Sequence, residues 1–227
     1  HEPSRRQRQM CIRDSAGIIS NDDFSVRVND TQKNGDYVLH ICTLTNGAIG
    51  DNLSVDCMID VDRRNNIKMN HTATHLLHQS LKDVLGDHVN QAGSLVHPEY
   101  LRFDITHPKK ISLKELEDIE MIVNQKIGED ITVETSIKSL EEAKKEGATA
   151  LFGEKYEDEV RVVTMGKFSK ELCGGTHVSS TGKINKFKIK HEKAISSGIR
   201  RINAITNNEV DLYLKQKSEE LGLLKEA

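Results

Sequence analysis

Two short motifs that lie far apart in this chain of 227 residues constrain its fold more than any other feature. The first, HTATH, carries His71 and His75, which share one face if the segment is helical because they are four residues apart. The second, CGGTH, carries Cys173 and His177, with two glycines between them that permit an unusual turn. Zinc binds imidazole and thiolate in tetrahedral sites. The sequence therefore predicts a fold that brings both motifs around one zinc ion, which three imidazoles and one thiolate leave able to act as a Lewis acid.

Other interpretations of the motifs fit the residues less well. A single HxxxH pair can be an ordinary part of an amphipathic helix, and His78 shows how easily a further histidine falls nearby. Thr72 stands where a zinc protease of the HExxH type needs its glutamate. No PCxxC motif follows to indicate a base deaminase. The presence of both halves in one chain favours the zinc site.

The composition is typical of an ordinary folded protein without a membrane partner. Hydrophobic residues make up 36% and charged residues 30% of the chain, and no apolar run reaches membrane-spanning length. Four cysteines are too few for a disulfide scaffold, which favours a cytoplasmic location and a metal thiolate. The net charge of -3 excludes a uniformly basic polyanion binder, so any nucleic-acid contact must be local.

Hydrophobic periodicity predicts an α+β fold. Alternation over residues 24–61, with turn signals at Asn34-Gly35 and Asn46-Gly47, indicates a small β-barrel. We expect the zinc helix to follow, capped by Asn70 and ended by Gly86. The expected division is a non-native adapter-derived tail at 1–15, a β-barrel at 16–64, a mixed zinc-binding domain at 65–206, and the start of a long helix or coiled coil at 207–227.

Further elements are expected within the mixed domain from the same patterns. They are strands at 101–105, 131–135, 160–164, 184–190 and 199–205, and helices at 112–127 and 140–145.

A local basic surface is predicted near the end of this domain. Lys186, Lys188 and Lys190 alternate with apolar residues and so share one strand face. Arg200 and Arg201 follow in SSGIRR, where arginine can bind phosphate through two hydrogen bonds. Such a row can be merely solvated. Downstream of a zinc site, however, the two segments together favour a nucleic-acid substrate.

The chain resembles the editing domain of alanyl-tRNA synthetases through segments that stand in the family's order over about residues 21–208. These segments are HTATHLLH, HVNQAGSLV, LRFD, ALFGEKY, ELCGGTHV and SGIRRINAIT. The preceding β-rich segment resembles the barrel that joins the aminoacylation and editing parts, and the tail resembles the start of the helix leading to the C-terminal domain. The resemblance implies a fragment whose ATP-dependent part would lie upstream.

The function implied by the resemblance is hydrolysis of seryl- or glycyl-tRNA(Ala) at the acceptor end of the tRNA. A pocket sized for alanine cannot strongly reject glycine or serine, so a second site must sort the products. The resemblance assigns recognition of the serine hydroxyl to Thr74 and pocket shaping to Gln91. Backbone amides near Gly174 and Gly175 are the expected oxyanion donors. No dedicated general base is evident.

Two alternative functions remain open at this point. Free-standing alanyl-tRNA trans-editing factors share the barrel and the zinc core. A tRNA-binding module could instead use the zinc only to close its fold, because four protein ligands are typical of structural zinc. Self-association through the C-terminal helix of the full-length protein is a further expectation.

Overall fold

The computed structural model describes residues 16–34, 37–51, 54–150, 156 and 158–226. The expected adapter-derived tail, Gly35 of the first turn signal, and most of the ALFGEKY segment lie outside the described residues. Three antiparallel sheets and four α-helices are formed in the described part of the chain. The α+β class is thereby confirmed.

The first sheet lies where a small barrel was expected. Its strands are β1 (Gly17–Ser20), β2 (Phe24–Asn34), β3 (Tyr37–Gly47) and β4 (Asp56–Ile59). They are hydrogen-bonded in the order β3-β2-β1-β4. The alternation that predicted β2 places Phe24, Val26 and Val28 on one buried face.

The second and third sheets contain the remaining described strands. The second has the order β10-β11-β6-β5, and the third has the order β7-β8-β9. Their bounds are β5 (Gln91–Val96), β6 (Leu101–Thr106), β7 (Val133–Ser139), β8 (Glu159–Met165), β9 (Ser169–Leu172), β10 (Phe187–Ser196) and β11 (Ile199–Thr206). The helices are α1 (Val61–Leu85), α2 (Leu113–Gly128), α3 (Leu140–Lys145) and α4 (Asn208–Glu226), with a 3-10 turn at Thr181–Ile184.

Helix α1 begins earlier than the sequence predicted. Asp60 is its N-cap and accepts a hydrogen bond from the backbone N–H of Arg63, while Gly86 ends it as expected, with φ of 110°. The expected cap at Asn70 is therefore wrong, and the boundary expected between residues 64 and 65 falls inside the helix. The histidines of HTATH consequently lie in the middle of α1 rather than in its first turn.

Asn70 instead joins α1 to two distant segments. Its side-chain nitrogen donates to the carbonyls of His97 (2.7 Å) and Pro98 (3.1 Å), and its oxygen accepts from the Thr206 hydroxyl (2.8 Å). The side chain is 1% exposed. Asparagine favours caps because its short amide reaches nearby backbone groups, and here the same amide binds backbone far away in sequence.

The main core lies between α1, α2 and the second sheet. Leu76, Leu77 and Leu81 of α1 pack with Phe103 of β6 and Ile119 of α2 in one buried cluster. Helix α2 is held at its start by a capping box between Ser112 and Glu115. This packing fixes the face of α1 that carries the histidines. Among the described helices, none is long and apolar enough to cross a membrane.

We predict that Asn70→Ala lowers the free energy of unfolding by about 2 to 4 kcal/mol. The change removes the hydrogen-bond partner of two buried carbonyls and one buried hydroxyl. Each lost partner lowers the free energy of unfolding by about 1 to 3 kcal/mol before the structure relaxes. Urea unfolding followed by circular dichroism measures the effect. The matched control is Asn65→Ala at an exposed position of the same helix, for which we expect a change within about 0.5 kcal/mol. Equal losses in the two variants would contradict the role of Asn70.

Candidate metal centre

The structure brings the two distant motifs together in one buried cluster. One ligand atom from each of His71, His75, Cys173 and His177 lies within 4.8 Å of all the others. Cys173 Sγ is 3.4 Å from His71 Nε2 and 3.4 Å from His177 Nε2. Zinc bonds of about 2.3 Å to sulfur and about 2.0 to 2.1 Å to nitrogen place such atoms roughly 3.6 Å apart at tetrahedral angles. The cluster can therefore hold a metal ion of that size.

Two of the histidines are oriented by oxygen atoms behind their rings. His71 Nδ1 donates to the carbonyl of Thr176 at 3.1 Å. His177 Nδ1 lies 3.2 Å from Thr72 Oγ1, and the Thr72 hydroxyl already donates its proton to the carbonyl of Lys68. His177 must therefore be the donor in that pair. Both rings thus carry a proton on Nδ1, and Nε2 is the ring nitrogen that faces the cluster.

The third histidine is oriented by a buried carboxylate. His75 Nδ1 donates to Glu171 Oε2 at 2.6 Å, and His78 Nδ1 donates to the other oxygen, Oε1, at 2.9 Å. His75 Nε2 is buried and has no hydrogen-bond partner in the described structure. A buried nitrogen without a partner is costly unless it binds a metal. The residues present therefore fit a metal ion, and they fit it through three Nε2 atoms and one sulfur.

The glycines of CGGTH serve close packing around the cluster. A Cβ atom at Gly175 would lie 2.0 Å from His71 Cε1, so the loop can approach the ring only with glycine there. The backbone N–H of Gly175 donates to Cys173 Sγ at 3.5 Å, and this amide is therefore already engaged by the sulfur. Arg161 of β8 donates to the carbonyls of Cys173 (3.1 Å) and Gly175, which fixes the loop from behind.

The pKa values of the cluster residues are shifted in different directions by burial and by their neighbours. Burial, the largest single effect, would raise the pKa of the Cys173 thiol, but the histidines around it hold that pKa well below its usual value. Burial likewise opposes the charged form of His75, but Glu171 and Cys173 raise its pKa to about 10. Burial and the nearby His71 lower the pKa of His177 to about 3. The metal-free cluster at neutral pH is thus a thiolate beside a protonated His75 and a neutral His177.

The other residues expected to be catalytic differ in their relation to the cluster. Thr74 lies between the two histidines of α1, is 4% exposed, and donates its hydroxyl proton to the carbonyl of His71 at 2.6 Å. Gln91 begins β5, and its amide donates to Ser94 Oγ at 3.3 Å. No hydrogen bond joins Gln91 to the cluster in the described residues. Gly174 is an exposed position of the CGGTH loop.

The basic residues expected to bind tRNA are mostly paired with acidic residues. Phe187 and Ile189 of β10 are buried, whereas Lys186 precedes the strand and Lys190 lies at the register shift between Ile189 and His191. A common face for the three lysines therefore stays a prediction. The ion pairs are Lys186 with Asp211 (2.5 Å), Lys188 with Glu120 (2.7 Å), Arg200 with Glu192, and Arg201 with Asp104 (2.7 and 2.8 Å). Lys190 lies over the ring of Tyr213. Much of the positive charge of this surface is therefore neutralised within the protein.

Two residues that orient the cluster, Thr72 and Glu171, were not anticipated from the sequence. Glu171 stands two residues before Cys173, and side chains two apart in an extended segment point to the same side. That spacing was the available signal. Thr72 is fully buried between the histidines of HTATH. It orients His177, which is distant in sequence, so no local pattern indicates this role.

Comparison with known proteins agrees with this site. A family profile described as the threonyl and alanyl tRNA synthetase second additional domain matches residues 160–203, which include the CGGTH motif. Residues 160–203 of this chain are therefore similar to that domain. The chain is also 51% identical over 206 residues to alanine-tRNA ligase 1 of Lachnoclostridium phytofermentans, covering 90% of this chain and 23% of that protein.

Two further relatives show the same relationship. The alanine-tRNA ligase of Bacillus anthracis is 52% identical over 213 residues, and that of Thermoanaerobacter pseudethanolicus is 49% identical over 211 residues. Each alignment covers 93% of this chain and 24% of the relative. The chain therefore spans about a quarter of the length of these ligases. The resemblance to alanyl-tRNA synthetases is confirmed.

We predict that Glu171→Gln weakens zinc binding by this chain about 10- to 100-fold, as is typical when the partner of a metal-binding histidine is lost. Glutamine keeps the size of the side chain but removes the charge and one of the two acceptors. Competition with a chromophoric chelator measures the affinity. Glu159→Gln, at an exposed position of β8, is the matched control and should bind zinc normally. Unchanged affinity in Glu171→Gln would show that the carboxylate does not hold His75 for the metal.

Zinc affinity should also rise with pH between 7 and 9, by about tenfold per unit. The metal-free pKa of His75 is about 10, so His75 is protonated over this range and must lose one proton when metal binds. The Cys173 thiol, whose pKa is lowered, is already ionised and releases none. Chelator competition at pH 7, 8 and 9, corrected for protonation of the chelator, gives the slope. A flat profile would mean that His75 is neutral before metal binds.

Proposed function

We propose that this chain is the editing part of a cytoplasmic alanine-tRNA ligase and hydrolyses the ester of seryl- or glycyl-tRNA(Ala) at a zinc centre. The ligands would be His71, His75, Cys173 and His177. The relatives support the connection with alanine and tRNA, since they are named alanine-tRNA ligases. The second additional domain supports assignment of the chain to the editing region.

The convergence of three Nε2 atoms on one sulfur is the observation that carries this proposal. Each ring is held from behind by a separate acceptor, so the three nitrogens are oriented before any metal binds. When bound, zinc would supply Lewis-acid chemistry, polarising the ester carbonyl or a water molecule beside it. Histidines that lie together only by chance would not each require a separate hydrogen-bond acceptor behind the ring. The arrangement therefore supports a metal centre with a chemical task.

Thr74 would distinguish serine from alanine. Its hydroxyl proton is given to the carbonyl of His71, so its oxygen can act only as an acceptor toward a substrate. A serine hydroxyl can donate to it, whereas the methyl group of alanine cannot. Gln91 would shape the pocket from the start of β5. Backbone amides of the loop near Gly174 and Gly175 would contribute to oxyanion stabilisation, although the N–H of Gly175 donates to Cys173 Sγ in this structure.

The nucleophile in this mechanism is a water molecule without a dedicated protein base. Glu171 is the buried carboxylate near the cluster, but both of its oxygens accept hydrogen bonds from His75 and His78. Its pKa is also held well below the usual range: burial opposes this, but the two histidines outweigh it. Glu171 therefore orients the histidines and does not accept the proton of water. The terminal hydroxyl of the tRNA is the alternative source of activation.

The tRNA(Ala) acceptor end is the proposed partner. Lys186, Lys188, Lys190, Arg200 and Arg201 remain candidates for backbone contacts, and most of them would have to exchange a carboxylate for an RNA phosphate. Helix α4 exposes Leu214 and Leu221 seven residues apart, which supports self-association through this helix in the full-length protein.

A structural role for zinc is the second candidate function. Four protein ligands are the usual number in structural sites, and here they leave no open position on a tetrahedral ion. In that case the chain would bind tRNA without hydrolysing it. A free-standing trans-editing deacylase would share the site and the chemistry proposed here.

The test is deacylation of seryl-tRNA(Ala) and alanyl-tRNA(Ala) by the wild type and by Thr74→Val. Valine keeps the shape and removes the acceptor, so the variant should lose serine preference by about tenfold to a hundredfold while retaining zinc. Initial rates on both charged tRNAs, with zinc content measured on the same samples, give the result. Cys173→Ala is the control that should lose both metal and activity.

The outcomes separate the candidates. Failure of the wild type to hydrolyse seryl-tRNA(Ala) while it binds zinc and tRNA would favour the structural role. Hydrolysis with undiminished serine preference in Thr74→Val would keep the deacylase and move the discrimination to another residue, with Gln91 the next to be replaced.

A further inference from the structure

A cleft of about 320 Å³ opens directly beside the metal centre. His177 of the CGGTH motif and the two residues that follow it line one part of the cleft. Residues of α1, β7, β8 and the 3-10 turn line the rest. A cavity of this volume is within the range of small-ligand sites. The cleft therefore has the size and the position of a subsite for part of a substrate that reaches the metal.

The charge of this cleft distinguishes it from the rest of the surface. Three cationic side chains line it, from Lys68 of α1, Arg161 of β8 and Lys183 of the 3-10 turn, and none of its described lining residues is acidic. Asn65 and Thr135 supply further polar groups, and Val133 and Val178 are the apolar part of the lining. The described lining of the cleft thus contains three cationic side chains and no carboxylate.

These cations also differ from those of the β10 and β11 surface in their partners. Lys186, Lys188, Arg200 and Arg201 each form an ion pair with a carboxylate. Within the described residues, no ion pair involves Lys68, Lys183 or Arg161. The Arg161 guanidinium donates to two carbonyls and to the Thr135 hydroxyl, and none of these acceptors is a carboxylate. Three unpaired charges around one cleft cost free energy by mutual repulsion, which a bound anion would relieve.

We propose that the cleft binds a phosphodiester of the single-stranded 3′ end of the tRNA and so delivers the terminal ester to the metal centre. The proposal rests on the proposed function, because the ester is carried by the last nucleotide. The phosphate nearest the ester is only one sugar away, and His177 is shared between the cleft and the metal centre. Lys68 and Lys183 are the phosphate contacts, while Arg161 contributes charge and holds the CGGTH loop.

Binding of two RNA hairpins tests this assignment without requiring catalysis. Both hairpins reproduce the acceptor stem and carry a 5′ fluorophore, but only one has the single-stranded 3′ end. Fluorescence anisotropy gives the preference of the full chain for the hairpin with that end. We expect the double variant Lys68→Ala/Lys183→Ala to lose this preference by about tenfold or more, since each lost charge-assisted contact reduces affinity by about that factor. Its salt dependence should become shallower by about one unit of slope per lysine.

Lys109→Ala/Lys110→Ala is the matched control. It removes the same charge from two exposed lysines that lie outside the cleft, and it should keep the preference for the 3′ end. Zinc content and circular dichroism confirm that each variant is folded. Competition with adenosine monophosphate separates an RNA end from a free nucleotide. The assignment would be overturned if adenosine monophosphate displaced the hairpin as effectively as RNA does. It would also be overturned if the cleft variant kept the preference for the 3′ end, if the control variant lost it equally, or if the wild type showed no such preference.

Deacylation kinetics then distinguish failure of this inference from failure of the proposed function. With seryl-tRNA(Ala), Lys68→Ala should raise KM while leaving kcat nearly unchanged, because the lysine positions the RNA and does not touch the ester. A wild type that hydrolyses seryl-tRNA(Ala), together with an unchanged KM in Lys68→Ala, would overturn the cleft and leave the deacylase. A wild type that prefers the 3′ end through the cleft but hydrolyses nothing would overturn the deacylase alone.

Discussion

The burial of one carboxylate between two histidines is the interaction on which the metal centre depends. Glu171 is 6% exposed, and an ion removed from water at this depth is stable only if its oxygens are fully hydrogen-bonded. His75 and His78, three residues apart on α1, satisfy one oxygen each. These bonds tie β9 to α1. Because Cys173 follows β9 directly, the same contact places the sulfur opposite the histidines.

Several local features of the fold could be predicted because their causes are local. The short helix 140–145, the end of α1 at Gly86 and the alternating strands follow from spacing and from single residues with strong preferences. The start of α1 could not be predicted in this way. Asn70 has the chemistry of a cap, but its amide binds the carbonyls of His97 and Pro98 and the hydroxyl of Thr206, which only the folded chain brings near.

The same distinction applies to the candidate site. The proximity of the four candidate ligand residues could be predicted because two metal-type motifs in one chain favour a shared site, and the structure brings one ligand atom of each residue within 4.8 Å of the others. The residues that orient the histidine rings could not be predicted, because Thr72 accepts a hydrogen bond from His177, and Glu171 from His75, across about a hundred residues of sequence. The spacing of Glu171 from Cys173 indicates only that the two side chains share a side of the strand, and Thr72 has no comparable local signal. Their assignment required the geometry.

The positive charge that a surface of this protein presents depends on which basic residues form ion pairs, and not only on how many basic residues lie there. The alternation of lysines over residues 186–190 predicted a shared basic face, but the carboxylates that pair with Lys186 and Lys188 come from α4 and α2, which this local pattern cannot reveal. The cleft beside His177 was not visible in the sequence, because Lys68, Arg161 and Lys183 belong to three separate segments. Three described cationic side chains that form no ion pair therefore lie together beside the candidate metal centre. Because unpaired charges near low-dielectric walls attract a polyanion more strongly than charges already paired, this cleft would, under the proposed function, attract the RNA backbone more strongly than the paired residues of β10 and β11.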